Sequence, residues 1–158
     1  MKKLLSIFFI LSVTSNLFSQ CSDITKEVDK FTGETKFMSP SFVEDNLQEH
    51  PVVFYKKILG KDTLIMIRLE TKGETISIEK GVIILLNNGK KISRPDAKIN
   101  VSVGDQGFNY SSMIVLSNED VKMLKESLIA SFRLYIYDCE VPQIRYYKEM
   151  LNCIIIAK

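Results

Sequence analysis

The apolar positions change rhythm several times along this chain. Leu4 to Val13 (LLSIFFILSV) is an almost unbroken apolar run behind Met1-Lys2-Lys3, and Thr14-Ser15-Asn16 then turns polar. A membrane-crossing helix needs about 20 apolar residues, roughly twice this run. A positive start, a short apolar centre and a polar exit are the profile of a secretory signal peptide. The expected cut lies between Ser19 and Gln20, leaving one domain over 20–158. Cys21 opens a competing reading, lipidation. A lipobox, however, wants an aliphatic residue three before the cysteine and a small one directly before it, and Phe18 and Gln20 stand there.

Beyond residue 20 the period is mostly two. A Gly-centred turn at Thr32-Gly33-Glu34 predicts a hairpin or bent strand over 22–40. Ser41-Phe42-Val43-Glu44 has capping-box spacing, which predicts one helical turn over 42–48 before Pro51. Val52–Leu59 and Thr63–Glu70 are β-rich runs around Gly60-Lys61-Asp62, a hairpin with a three-residue loop. Thr71–Glu79 continues extended, with Ile76 and Ile78 pointing the same way. Gly81–Leu86 has no alternation and predicts a strand covered on both faces, closed by a type I′ turn at Asn87-Asn88-Gly89. The return strand should be short, Lys90–Ser93, because Pro95 has no N–H for a ladder. Lys98–Val103 alternates cleanly, and Gly104-Asp105-Gln106-Gly107 turns the chain into Phe108–Leu116.

Here the period lengthens. Ser117 as N-cap, acids at Glu119 and Asp120, and Val121, Leu124 and Leu128 at helical spacing predict a helix near 118–130. Phe132–Cys139 returns to strand. Ile144, Tyr147, Leu151, Ile154 and Ile155 then share one helical arc, predicting a C-terminal helix near 143–156; the tail Cys153–Ala157, read alone, would pass for a strand. Together these elements describe an α+β domain, an antiparallel meander sheet of about seven strands, curved or sandwich-like, with two late helices.

Composition narrows the function. The apolar share is 46% and the charged share 25%, a globular rather than disordered balance. Removing residues 1–19 takes away Lys2 and Lys3 and leaves as many acids as bases. Binding nucleic acid requires a basic face. Lys56-Lys57 and Lys90-Lys91 stand among acids instead and read as solvated surface, so no nucleic-acid partner is expected, nor any transmembrane helix in the mature chain. Three cysteines allow one bridge and leave one thiol over. A strand-like tail would permit Cys139–Cys153. A helical tail disfavours it, since Cys153 would lie ~15 Å beyond the helix start.

Catalytic signals are sparse. The one histidine, His50, sits in an expected loop beside Glu49 and Pro51 and reads as exposed, and no G-x-S-x-G elbow exists. The Cys and His spacings offer no local pair for zinc, and the dispersed glycines no phosphate loop, so neither metal nor cofactor is expected. Paired carboxylates, drawn from Glu70, Glu74, Asp96, Asp105, Asp138 and Glu140, keep open a glycan hydrolase, which is the one enzyme class left. Arg94-Pro95-Asp96 is the most pointed polar cluster. Arg94 and Asp96 could face a ligand, though a turn with a local ion pair explains them too. Tyr135, Tyr137, Tyr146 and Tyr147 could form an aromatic contact surface or pack inside.

Lys80–Gly89, the following Arg94-Pro95 and Lys98-Ile99, and Phe132–Asp138 look like segments of small exported bacterial proteins of unknown function. The resemblance spans about residues 80–140. It implies a shared fold and no catalytic residues. The expectation is a periplasmic or secreted, non-catalytic binding or envelope-accessory domain whose partner is a protein or glycan of the envelope. The alternatives are a carboxylate-dependent glycan hydrolase and a membrane-anchored lipoprotein with a structural or adhesin-like role.

Overall fold

The computed structural model describes residues 21–43, 48–76, 80–104, 107–142 and 144–158. The Ser19–Gln20 cleavage site therefore lies outside the described residues.

Among the described residues, twelve strands and two helices follow one another: β1 Thr25–Val28, β2 Thr35–Met38, β3 Phe42–Val43, β4 Gln48–Glu49, β5 Val52–Leu59, β6 Asp62–Gly73, β7 Lys80–Leu86, β8 Lys91–Lys98, β9 Asn100–Gly104, β10 Gly107–Leu116, α1 Asn118–Glu126, β11 Ile129–Leu134, β12 Tyr137–Glu140 and α2 Ile144–Ile156. Every strand pairing is antiparallel. The strands do not form one meander. They divide into a six-stranded sheet, β1-β2-β5-β6-β10-β9, a four-stranded sheet, β12-β11-β7-β8, and the small β3-β4 pair.

The two large sheets bury their alternating apolar faces against each other. Phe54 lies opposite Ile67, which lies opposite Ile114, so one side of three adjacent strands is aliphatic and aromatic. From the other sheet come Val82, Ile84, Leu86, Ile92, Phe132 and Leu134, all buried. The helix α2 adds Tyr147, Met150, Leu151 and Ile154, buried residues at the three- and four-residue spacing of one helix face, and packs on β5. Lys56, expected in solvent, has its ammonium donating to the carbonyls of Ile155 (2.9 Å) and Ala157 (2.8 Å), a cation at the negative end of α2.

Local chemistry explains where the elements differ from the sequence expectation. The loop joining β5 and β6 has two residues, because Asp62 already pairs with Leu59. In place of the turn of helix over 42–48, Phe42 and Val43 pair with Glu49 and Gln48; residues 44–47 and 77–79, and with them Ile78, lie outside the described set. The β7–β8 turn is not type I′. Among its residues only Gly89 has positive φ (79°), and its N–H donates to the Leu86 carbonyl. The outer side of β7 is not covered, since Ile83 is 38% exposed.

Pro95 does not end β8, which runs to Lys98. It sits on an edge strand at a register shift, where no ladder N–H is needed. The helix α1 stops four residues early because Ile129 is drawn into the ladder opposite Leu86. Phe132–Cys139 is not one strand. Tyr135 adopts φ 57° and folds it into the β11–β12 hairpin. The tail over 144–156 is helix.

Gly73 is demanded by packing. A Cβ there would lie 2.6 Å from the Tyr110 ring and 2.7 Å from that of Tyr137. The two rings sit 4.6 Å apart, and both phenols bond Thr75: Tyr110 donates to its carbonyl, and Tyr137 meets its hydroxyl at 2.6 Å.

Candidate functional site

Among the described residues a groove of about 540 Å³ lies between the end of α1, the β7–β8 turn and the outer face of α2. The turn is stitched to the helix end. Asn87 N–H donates to the Leu128 carbonyl (2.9 Å), and Asn88 N–H donates to the Ser127 hydroxyl (3.3 Å). Ser127 also closes α1, its N–H donating to the Met123 carbonyl. The opposite wall is Arg145, Lys148, Glu149 and Asn152, the polar stripe of α2. Glu126 and Asn87 complete the rim, and Leu128 supplies apolar floor.

Two cations, two carboxylates and two amides thus face one open space. The set balances in charge and mixes donors with acceptors, which suits a neutral or zwitterionic polar ligand rather than a polyanion. None of these residues was named as a site residue from the sequence, and Asn87 was read only as part of a turn. The signal was there as the complement of the apolar arc of α2: positions 145, 148, 149 and 152 share the opposite side.

Arg94 pairs with Asp120 and not with Asp96. The Arg94 guanidinium bonds the Asp120 carboxylate, whose side chain is only 6% exposed. Asp120 also closes the capping box of α1, accepting from the Ser117 N–H and hydroxyl, both at 2.8 Å, while its own N–H donates to the Ser117 oxygen (3.1 Å). Arg94 therefore ties the edge strand β8 to the start of α1, and Asp96 lies exposed on β8.

His50 is buried, not exposed (5% accessible). Its Nδ1 lies 3.0 Å from the Tyr147 hydroxyl, and its ring stacks on Tyr146 at 5.0 Å with 14° between the planes. Burial pushes the imidazole down from its ordinary value and the Tyr147 phenol up, which favours the neutral form of both. This contact ties the segment before β5 to the buried face of α2. Of the four tyrosines read as a possible contact surface, Tyr147 is buried, and Tyr135, Tyr137 and Tyr146 are partly buried. The exposed apolar side chains lie elsewhere, with Leu64, Met113 and Val115 on the outer face of β6 and β10.

The carboxylates named from the sequence are dispersed or paired. Glu70 meets Arg68 (2.9 Å). Asp138 meets Arg133 through two bonds of 2.5 and 2.7 Å, and Arg133 holds that carboxyl below its ordinary value. Asp105 lies outside the described residues. The groove instead brings together Glu126 and Glu149, both exposed. Among the described residues no three His, Cys, Asp or Glu side chains gather as metal ligands, and no helix is long and apolar enough to cross a membrane.

Cys21 is bonded to Cys153, with Cα atoms 5.3 Å apart at a sequence separation of 132. Cys139 is the free thiol, half-buried, and burial raises its pKa. The Cys139–Cys153 pair weighed from the sequence is thus replaced by the longest closure available. Compared with family models, curated proteins and solved structures, the chain matches none.

Proposed function

We propose that this chain is an exported, non-catalytic binding or envelope-accessory domain that offers the groove between α1 and α2 to a polar protein segment or glycan of the bacterial envelope. The Cys21–Cys153 bridge is the observation that carries the reading. It joins the first residues after the apolar N-terminal run to the buried face of α2, and a structural disulfide persists in an oxidising compartment. The same bridge favours a cut between Ser19 and Gln20 over lipidation. A diacylglyceryl thioether on Cys21 would occupy the sulfur that the bridge uses.

The test is the intact mass of protein made in a bacterial host from its own N-terminus, with and without reduction before alkylation. The expected mass begins at Gln20, with or without loss of one ammonia, and one thiol reacts before reduction. A mass beginning at Cys21 plus acyl chains, or three reactive thiols, would overturn the reading. The groove is tested separately, by titrating soluble envelope glycan and peptide fragments while following the Asn87 and Asn152 amides by NMR. Shifts confined to other surfaces would remove it.

A carboxylate hydrolase remains the second reading, because Glu126 and Glu149 line one groove. Turnover of a glycan by the protein, abolished by Glu149→Gln, would promote it.

A further inference from the structure

The native bridge is the one a random chain would make last. Cys139 and Cys153 are 14 residues apart, whereas Cys21 lies 132 residues from Cys153. Loop-closure probability falls with about the 3/2 power of length, so in the unfolded chain the Cys139–Cys153 contact is favoured roughly 30-fold over Cys21–Cys153. Yet the folded protein has no use for the short loop. Cys139 lies on β12, opposite Phe132, as the free, half-buried thiol. The Cys153 sulfur is bonded to Cys21 in the folded protein, so a Cys139–Cys153 bridge must be exchanged before the native pairing can close.

We infer that this protein matures by thiol–disulfide isomerisation: a Cys139–Cys153 bridge forms first and is exchanged for Cys21–Cys153, which makes the chain a client of a disulfide-isomerising partner. In the first step two thiols lose two electrons and two protons to a disulfide donor, which is reduced to its dithiol form. In the second, the Cys21 thiolate attacks the Cys153 sulfur, the Cys139–Cys153 bond breaks, and Cys139 leaves as a thiolate that takes up a proton. No net electrons move in this exchange, so it is driven by the packing of α2, whose buried face carries Cys153, Met150, Leu151 and Ile154. The freed Cys139 thiol is then half-buried, with a raised pKa, and reverse attack requires the thiolate that burial disfavours.

The inference rests on the bridge that supports export, not on export itself, and the test separates the two. The purified protein, as the cell processes it, is reduced, unfolded and refolded in a reduced/oxidised glutathione buffer. Samples are quenched in acid, alkylated, digested and mapped by mass spectrometry. Cys139–Cys153 should be the dominant early bridge, decaying as Cys21–Cys153 accumulates. With oxidised glutathione alone the native bridge should form at least tenfold more slowly, and Cys139→Ser should remove that dependence. If Cys139→Ser folds poorly, Cys139→Ala serves the same comparison. Early Cys21–Cys153 without a Cys139–Cys153 species, at a rate indifferent to Cys139→Ser, would overturn the exchange while leaving the bridge intact. Folded protein that never bridges Cys21 would overturn both.

Discussion

Reducing the Cys21–Cys153 bridge should cost this protein more than any single core contact. The bridge closes 132 residues. In the chain-entropy treatment, cross-linking a loop of that length lowers the unfolded-state entropy by about 17 cal/mol/K, equivalent to ~5 kcal/mol at 25 °C, and removal of native disulfides typically costs ~2–5 kcal/mol. Domains of this size are stable by ~5–15 kcal/mol in total, so the reduced protein should stay folded with a much smaller margin. With a urea dependence near ~2 kcal/mol/M, the midpoint should fall by roughly 1–2.5 M. Circular dichroism is the appropriate probe because the chain has no Trp. The substitution to pair with reduction is Cys21→Ala, since Cys21 is part-exposed while Cys153 is buried at 4% and would add a packing defect. Midpoints agreeing within about 0.3 M between oxidised protein, reduced protein and Cys21→Ala would refute the reasoning.

Three further outcomes follow from the packing. Gly73→Ala forces a methyl against the Tyr110 and Tyr137 rings and should destabilise by about 1–3 kcal/mol, read as a lowered urea midpoint; an unchanged midpoint would mean the rings shift freely. His50 has a folded pKa depressed below its ordinary 6.5 by burial, so the unfolded chain binds the extra proton first. Stability should therefore be full above about pH 6.5 and fall as pH drops below it, a slope that His50→Gln flattens in urea titrations at pH 5 to 8. Asp120→Ala removes both the capping box and the Arg94 pair and should cost ~2 kcal/mol, whereas Arg94→Ala, which leaves the Ser117 bonds to Asp120 in place, should cost ~1 kcal/mol. Equal losses in thermal melts would contradict the division of labour assigned to Asp120.

Legibility followed the range of the forces involved. β5 and β6 were readable because their alternation and the turn between them are local, and the start of α1 because Ser117 and Asp120 are three residues apart. The end of α1 was not. Leu128 and Ile129 continue its apolar spacing, and only pairing with Leu86, more than forty residues earlier, turns Ile129 into strand. Tyr135 hides a hairpin because positive φ in a non-glycine residue leaves no compositional trace. His50 looked exposed because its neighbours are polar, and its burial is imposed by Tyr146 and Tyr147 from the other end of the chain. The groove was half visible. The polar stripe of α2 is periodic, but its opposing wall, Asn87 and Glu126, is placed by the docking of α1.

By itself the sequence determined the β-rich α+β class, the β5–β6 and β7–β8 hairpins, the two late helices and the apolar faces, because each of these is a statement of period, cap or turn within a few residues. The tertiary structure alone decided the split into two facing sheets, the pairing of Arg94 with Asp120 and the burial of His50. It also decided which two of three cysteines meet. Those outcomes depend on contacts between segments up to 132 residues apart, where no local pattern distinguishes one partner from another and only the fit of the assembled core does.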